Sequence, residues 1–138
     1  SISYEKDPND LLKAKEIYLT SMNSEYKKEP REDLQSISDG ITGYKGNVHL
    51  SIGEVLSFEE DCYDASAKLI TLNINNLYKS HATNEAACVI QGFPLNDPQF
   101  SEEEIENAMS YLRERLHMVE EGMQPFLLRQ YSNSNYKL

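Results

Sequence analysis

The segment from Ser101 to Met123 constrains the fold more than any other part of the chain. Ser101 is followed by Glu102, Glu103 and Glu104. This is the spacing of a capping box, in which the serine hydroxyl and the glutamate carboxylate satisfy each other's backbone N–H groups. The two further carboxylates sit where the positive end of a helix stabilises them. Ile105, Ala108, Met109, Leu112, Leu116, Val119 and Met123 then recur at helical spacing. Positions 102 to 121 would extend about 30 Å at 1.5 Å per residue. Gly122 and Pro125 read as its end.

The rest of the chain reads as further capped helices. "DPND" at residues 7 to 10 offers Asp7 as a cap and Pro8 at the first helical position, with Leu11, Tyr18, Met22 and Tyr26 as the stripe behind it. Pro30 can open a second helix carrying Leu34, Ile37, Ile41 and Tyr44, shortened by Gly40 and Gly43. "SIGE" at 51 to 54 and "SFEE" at 57 to 60 both have capping-box spacing. The second opens the most apolar segment, which runs to about Lys79. There Phe58, Cys62, Ala65, Leu69, Ile70, Leu72 and Leu77 share one broad side opposite Asp61, Asp64, Lys68, Thr71 and Asn75. So wide an apolar arc predicts a central helix touched by neighbours on several sides. Thr83 and Gly92 bracket a further short helix.

The expected fold is an all-α, single-domain bundle of about five to six helices over residues 1–138, with a mobile tail from about residue 132. An α+β alternative stands beside it. Strand-like alternation in "NVHLSI" and "LITLNIN", with the apolar "ACVIQGF", would place a small antiparallel sheet within residues 47–92, flanked by terminal helices. The capping box at Ser57, and the lack of turn residues between Glu59 and Lys79, favour helix for residues 67–78.

Charge narrows the partners. The net charge is −10, and no Lys/Arg cluster of the kind that releases counterions from phosphate backbones is present, so neither nucleic acid nor an anionic membrane surface is expected. Residues 51 to 66 carry Glu54, Glu59, Glu60, Asp61 and Asp64 with no basic residue. Residues 101 to 122 carry seven acids against Arg113 and Arg115. The longest apolar run, "AACVI", is far short of a membrane span. No apolar N-terminal segment reads as a signal peptide, and the start at Ser1 without Met leaves export open. Cys62 and Cys88 form no metal-spacing motif. Reduced thiols would suit the cytoplasm and a disulfide between them the periplasm; their apolar contexts favour thiols.

Reactive constellations are thin. Glu114 and His117 form a Glu-x-x-His, the ligand spacing of carboxylate-bridged di-iron helices. On the Ser101 helix both project away from the buried stripe, no second Glu-x-x-His exists, and Arg113 and Arg115 add cations beside them. No metal and no cofactor is therefore expected. "GITGYKG" lacks the Lys-Ser/Thr ending of a phosphate loop.

These features lead to a non-enzymatic acidic protein that binds and neutralises or escorts a basic protein partner. By analogy of size and charge, bacterial immunity proteins, antitoxins and secretion chaperones are of this kind. The expected contact residues are Glu59, Glu60, Asp61, Asp64, Glu114, Glu120 and Glu121. The competing expectation is an enzymatic or small-ligand site in the helical core near Asn73, Asn76 and His81, because two amides project to an otherwise apolar side. A homodimer through the last helix and the apolar "PFLL" is a third option.

Overall fold

A computed structural model describes residues 1–23, 26–58, 62–95 and 97–133. Among these residues the chain forms β1 (Ile2–Tyr4), α1 (Asp10–Met22), α2 (Glu32–Thr42), β2 (Val48–Leu50), α3 (Tyr63–Leu77), α4 (Ala82–Ile90), α5 (Glu102–His117), a 3₁₀ turn (Glu121–Met123) and α6 (Gln124–Ser132). The fold is all-α apart from one antiparallel strand pair, with Ile2 opposite Leu50, Ser3 opposite His49 and Tyr4 opposite Val48. The strand at "NVHLSI" thus exists, but its partner is the N-terminal segment rather than another part of residues 47–92. Residues 67–77 are helix.

The helix ends show which local signals prevailed. Ser101 caps α5 as its spacing requires: its hydroxyl accepts from Glu104 N–H at 3.3 Å, and Glu104 Oε2 accepts from Ser101 N–H at 2.9 Å. Those bonds to Ser101 hold the Glu104 carboxyl below its ordinary pKa. Gly92 ends α4 with φ +73°, a left-handed conformation that costs a residue without Cβ little.

Other boundaries move. Asp7 does not cap α1. Its Oδ1 accepts from Asn9 N–H at 2.8 Å in a local turn, and the helix starts at Asp10. The stripe ends at Met22, so Tyr26 lies beyond the helix. No helix starts directly after Ser57: residues 51–58 are non-helical, residues 59–61 lie outside the described part, and α3 begins at Tyr63. Thr83 lies inside α4, which is capped at His81. Residues 118–132, expected to close one helix and open a tail, instead reverse the chain and form α6. Pro125 sits in the first turn of α6, where its missing N–H is not needed, and so opens a helix rather than stopping one. Ser132 is buried at the end of α6. Of the tail expected to be mobile, residues 134–138 lie outside the described part.

The core lies where α1, α4, α5 and α6 meet, and consists of Ala14, Ala86, Ala87, Ala108, Leu112, Leu127, Leu128 and Tyr131. Small side chains on α1, α4 and α5 let the backbones approach closely. Leu112 and Leu127 fill the space left between them. At the periphery the Tyr18 ring lies 5.9 Å from that of Phe126. A Cβ on Gly122 would stand 3.0 Å from the Tyr18 ring, so a larger residue in the turn into α6 would have to displace that ring slightly. Leu127 and Leu128 of "PFLL" are buried in this core, which removes them from any dimer surface.

The apolar helix expected at the centre is not there. α3 has no buried residue, and it is not among the helices that pack closely with one another. The short α4 takes the central place, with six buried positions in succession from Thr83 to Cys88.

Candidate protein-binding surface

The buried polar groups hold the helices together. Asp10 is fully buried at the start of α1. Its Oδ2 accepts from Arg115 Nε at 3.0 Å and from the Tyr131 hydroxyl at 2.7 Å, and its Oδ1 accepts from Arg115 Nη2. The Tyr111 hydroxyl stands 3.3 Å from that of Tyr131. Hydrogen bonding to Asp10 raises the Arg115 pKa, while burial and then the Asp10 charge push the Tyr131 phenol well up, so both stay protonated. With both Asp10 oxygens engaged, the cluster clasps α1, α5 and α6 together.

His81 is likewise structural. Its backbone N–H donates to Asn84 Oδ1 at 2.7 Å, and its Nε2 lies 3.2 Å from Ser3 Oγ. Burial lowers its pKa. The two amides expected beside it do not converge on it. Asn73 Nδ2 donates to the Leu69 carbonyl one turn back on its own helix at 2.9 Å, and Asn76 is exposed. Ordinary helix-surface chemistry accounts for both, and the motive for a core ligand site disappears with them.

The anomaly is on the surface. Most exposed large hydrophobic side chains of the described residues lie between positions 34 and 74. Leu34, Ile37 and Ile41 line α2, and Ile2, Val48 and Leu50 show on the strand pair. Val55 is 97% exposed on the segment that follows. On α3, Tyr63, Ala67, Ile70, Ile74 and Leu77 step by four, three, four and three, and so fall within about 80° of one another around the helix. All but Leu77 are exposed. This is the seam geometry with which one helix packs against another. A fifteen-residue helix is marginal in water by itself, and its stability depends on covering such a stripe.

The acids expected to contact a partner divide into two groups. Asp64 is exposed on the first turn of α3; Glu59, Glu60 and Asp61, which lead into that helix in sequence, lie outside the described residues. Glu114, Glu120 and Glu121 are exposed around the end of α5, and α3 and α5 are not closely packed. The two groups are therefore not joined by packing. Glu114 and His117 both face solvent, as their angle on the helix requires. Among the described residues no group of three or more His, Cys, Asp and Glu could hold a metal ion. Cys88 is buried and Cys62 is exposed.

Clefts lined by described residues include the following three. One of about 260 Å³ lies between the starts of α1 and α2, where Lys28 pairs with Glu16 at 3.2 Å and with Asp33 at 3.0 Å. A second, of about 250 Å³, holds Lys6, whose ammonium stands 4.7 Å from the Tyr111 ring centre. The third, beside Glu85, was not singled out from the sequence, although a lone acid beside the apolar run Ala86–Ile90 of α4 was the available signal. No helix among the described residues is long and apolar enough to cross a membrane. No family model, curated protein or solved structure matches the chain.

Proposed function

We propose that the chain is a non-enzymatic binding protein that engages a basic protein partner through the apolar seam of α3. One observation carries this reading: a helix with a five-position apolar seam and no buried residue. Exposed apolar surface of this extent costs free energy in water and is characteristic of interaction sites. The acids at its start give the partner its sign. Asp64 stands on the first turn of α3, and the run Glu59–Asp61 precedes it in sequence. An amphipathic partner segment with an apolar stripe and basic flanks complements both features. Steering by the acids would act on the association rate, and burial of the seam on residence time.

The test replaces Ile70 in the full chain by a benzophenone-bearing residue and irradiates it in an extract of the source. A control carries the same group at the exposed Arg129 of α6. A discrete adduct from position 70 alone identifies the partner, and association is then measured with the purified pair over a salt series. Glu60→Lys with Asp64→Lys should slow association several-fold at low salt, with the difference shrinking as salt rises. Equal adducts from both positions, or association rates insensitive to the reversals and to salt, would refute the reading. An adduct only to a second copy of this chain would also refute it, in favour of self-association through α3.

A further inference from the structure

The geometry points to a binding pocket for a primary alkylammonium group, on a free amine or a lysine side chain, between Glu85 of α4 and the start of α5. The proposal does not rest on α3, which lies elsewhere.

Glu85 is 3% exposed, which is rare for a carboxylate without a cationic partner. Its Oε1 accepts from Gln99 N–H at 2.8 Å, which directs the side chain at the loop that walls the third cleft. Its Oε2 is buried and has no hydrogen-bond partner among the described residues. A buried carboxylate oxygen left without a donor is costly, and such a group in a folded chain calls for an explanation. The cleft supplies one. It measures about 340 Å³ and is lined by Glu85 together with Leu95, Pro98, Phe100 and Ile105, with Glu102 and Glu106 beside them.

That lining selects a ligand class. The carboxylate at its inner side calls for a positive donor, and the apolar walls suit the methylene stem that carries one. Phe100 offers a ring face to a cation. Glu106 is already paired with Arg113 at 3.1 Å, whereas Glu102 has no ion pair among the described residues. The positive end of α5 disfavours a cation there, but the Glu102 carboxylate in its first turn, which lines the cleft, offsets that field. One feature separates ammonium from guanidinium. The bidentate fork of a guanidinium needs two free oxygens, and Gln99 occupies one of them. Oε2 has almost no accessible surface, so the amine is taken up with a rotation of the Glu85 side chain toward the cleft it lines. A compact ammonium donor then suits the single oxygen that remains.

The experiment follows the backbone amides of the ¹⁵N-labelled full chain by NMR during titration with n-pentylammonium chloride at constant ionic strength. n-Pentanol serves as the neutral control. The Gln99 amide, bonded directly to Glu85, should shift saturably with the ammonium and not with the alcohol. Glu85→Gln should weaken binding at least tenfold, and Glu102→Gln two- to threefold, while Glu103→Gln, outside the cleft, leaves it unchanged. If Glu85→Gln does not fold, the contrast between Glu102→Gln and Glu103→Gln still decides. A peptide arm compares Gly-Lys-Gly with its Nε-acetylated form. Binding of the amine alone assigns the pocket to free amines; binding of the unmodified peptide and not the acetylated one assigns it to a protein lysine. No saturable shift with amine or peptide, an equal response to n-pentanol, or an unaltered affinity in Glu85→Gln overturns the proposal. An equal response to the alcohol would identify a cavity suited to any small solute.

Discussion

Helices α3 and α4 are both rich in apolar residues, and the chain uses them in opposite ways. α4 carries Ala86, Ala87 and Cys88, small side chains that bring its backbone close to α5 and α6. Its polar residues reach distant parts of the chain: Thr83 Oγ1 donates to the Glu5 carbonyl at 2.6 Å, and Asn84 Nδ2 to the Tyr131 carbonyl at 2.9 Å. α3 carries larger Ile and Leu side chains, and its polar groups turn back on their own helix, Thr71 to the Ala67 carbonyl and Asn73 to the Leu69 carbonyl. Burial therefore follows close approach and long-range polar anchoring, and hydrophobicity alone does not decide it. A helix that is apolar and bulky but lacks such anchors stays unburied among the described residues.

If this contrast is right, perturbations of the α1–α4–α5–α6 body and of α3 must separate. The largest effect falls on the clasp. Asp10→Ala leaves the Arg115 guanidinium and the Tyr131 hydroxyl without their acceptor, and should remove about 3–5 kcal/mol of stability in urea unfolding. A loss below about 1 kcal/mol would mean that the pair is solvated and that the body is looser than described. Next, Leu127→Ala opens a cavity between α6 and its neighbours and should cost about 2–5 kcal/mol in the same measurement.

A smaller effect comes from pH. Burial depresses the His81 pKa below its ordinary 6.5. Between those two values the unfolded chain binds more protons, so stability falls as pH drops from 6.5 toward the folded-state pKa. His81→Asn keeps a residue suited to the N-cap but removes the titration. The urea midpoint of the parent chain should therefore fall more steeply than that of the variant below pH 6.5, and parallel profiles would place His81 in solvent. The smallest effect belongs to α3. Ile70→Ser should alter stability by no more than about 0.5 kcal/mol while weakening partner binding. A loss comparable to that of Leu127→Ala would show that α3 is part of the core.

How far the sequence could be read depended on whether a signal was local. The cap at Ser101, the stop at Gly92 and the stripe through Leu112 are set by residues within one or two turns, and each appears in the structure. The capping-box spacing at Ser57 was equally local yet forms no helix start, because spacing permits a cap without requiring the backbone to turn there. Which apolar helix lies at the centre was not legible. That choice depends on bonds such as Thr83 to Glu5, between residues 78 positions apart. The Asp10–Arg115–Tyr131 clasp spans more than a hundred positions and left no pattern in any window of the chain. For the surface, the exposure of Asp64, Glu114, Glu120 and Glu121 was readable from their faces, whereas the apolar arc through Ala65, Leu69, Ile70, Leu72 and Leu77 was read as core although none of these residues is buried.

The central claim is that α3 is formed but uncovered until a partner arrives, and hydrogen exchange of its backbone amides tests it most directly. In the dilute free chain, amides from Ala67 to Leu77 should exchange orders of magnitude faster than those in the interiors of α4 and α5, and should slow to comparable rates when the cross-linked partner is added. Protection of α3 equal to that of α4 in the dilute chain without any partner would contradict the account, because the helix would already be packed.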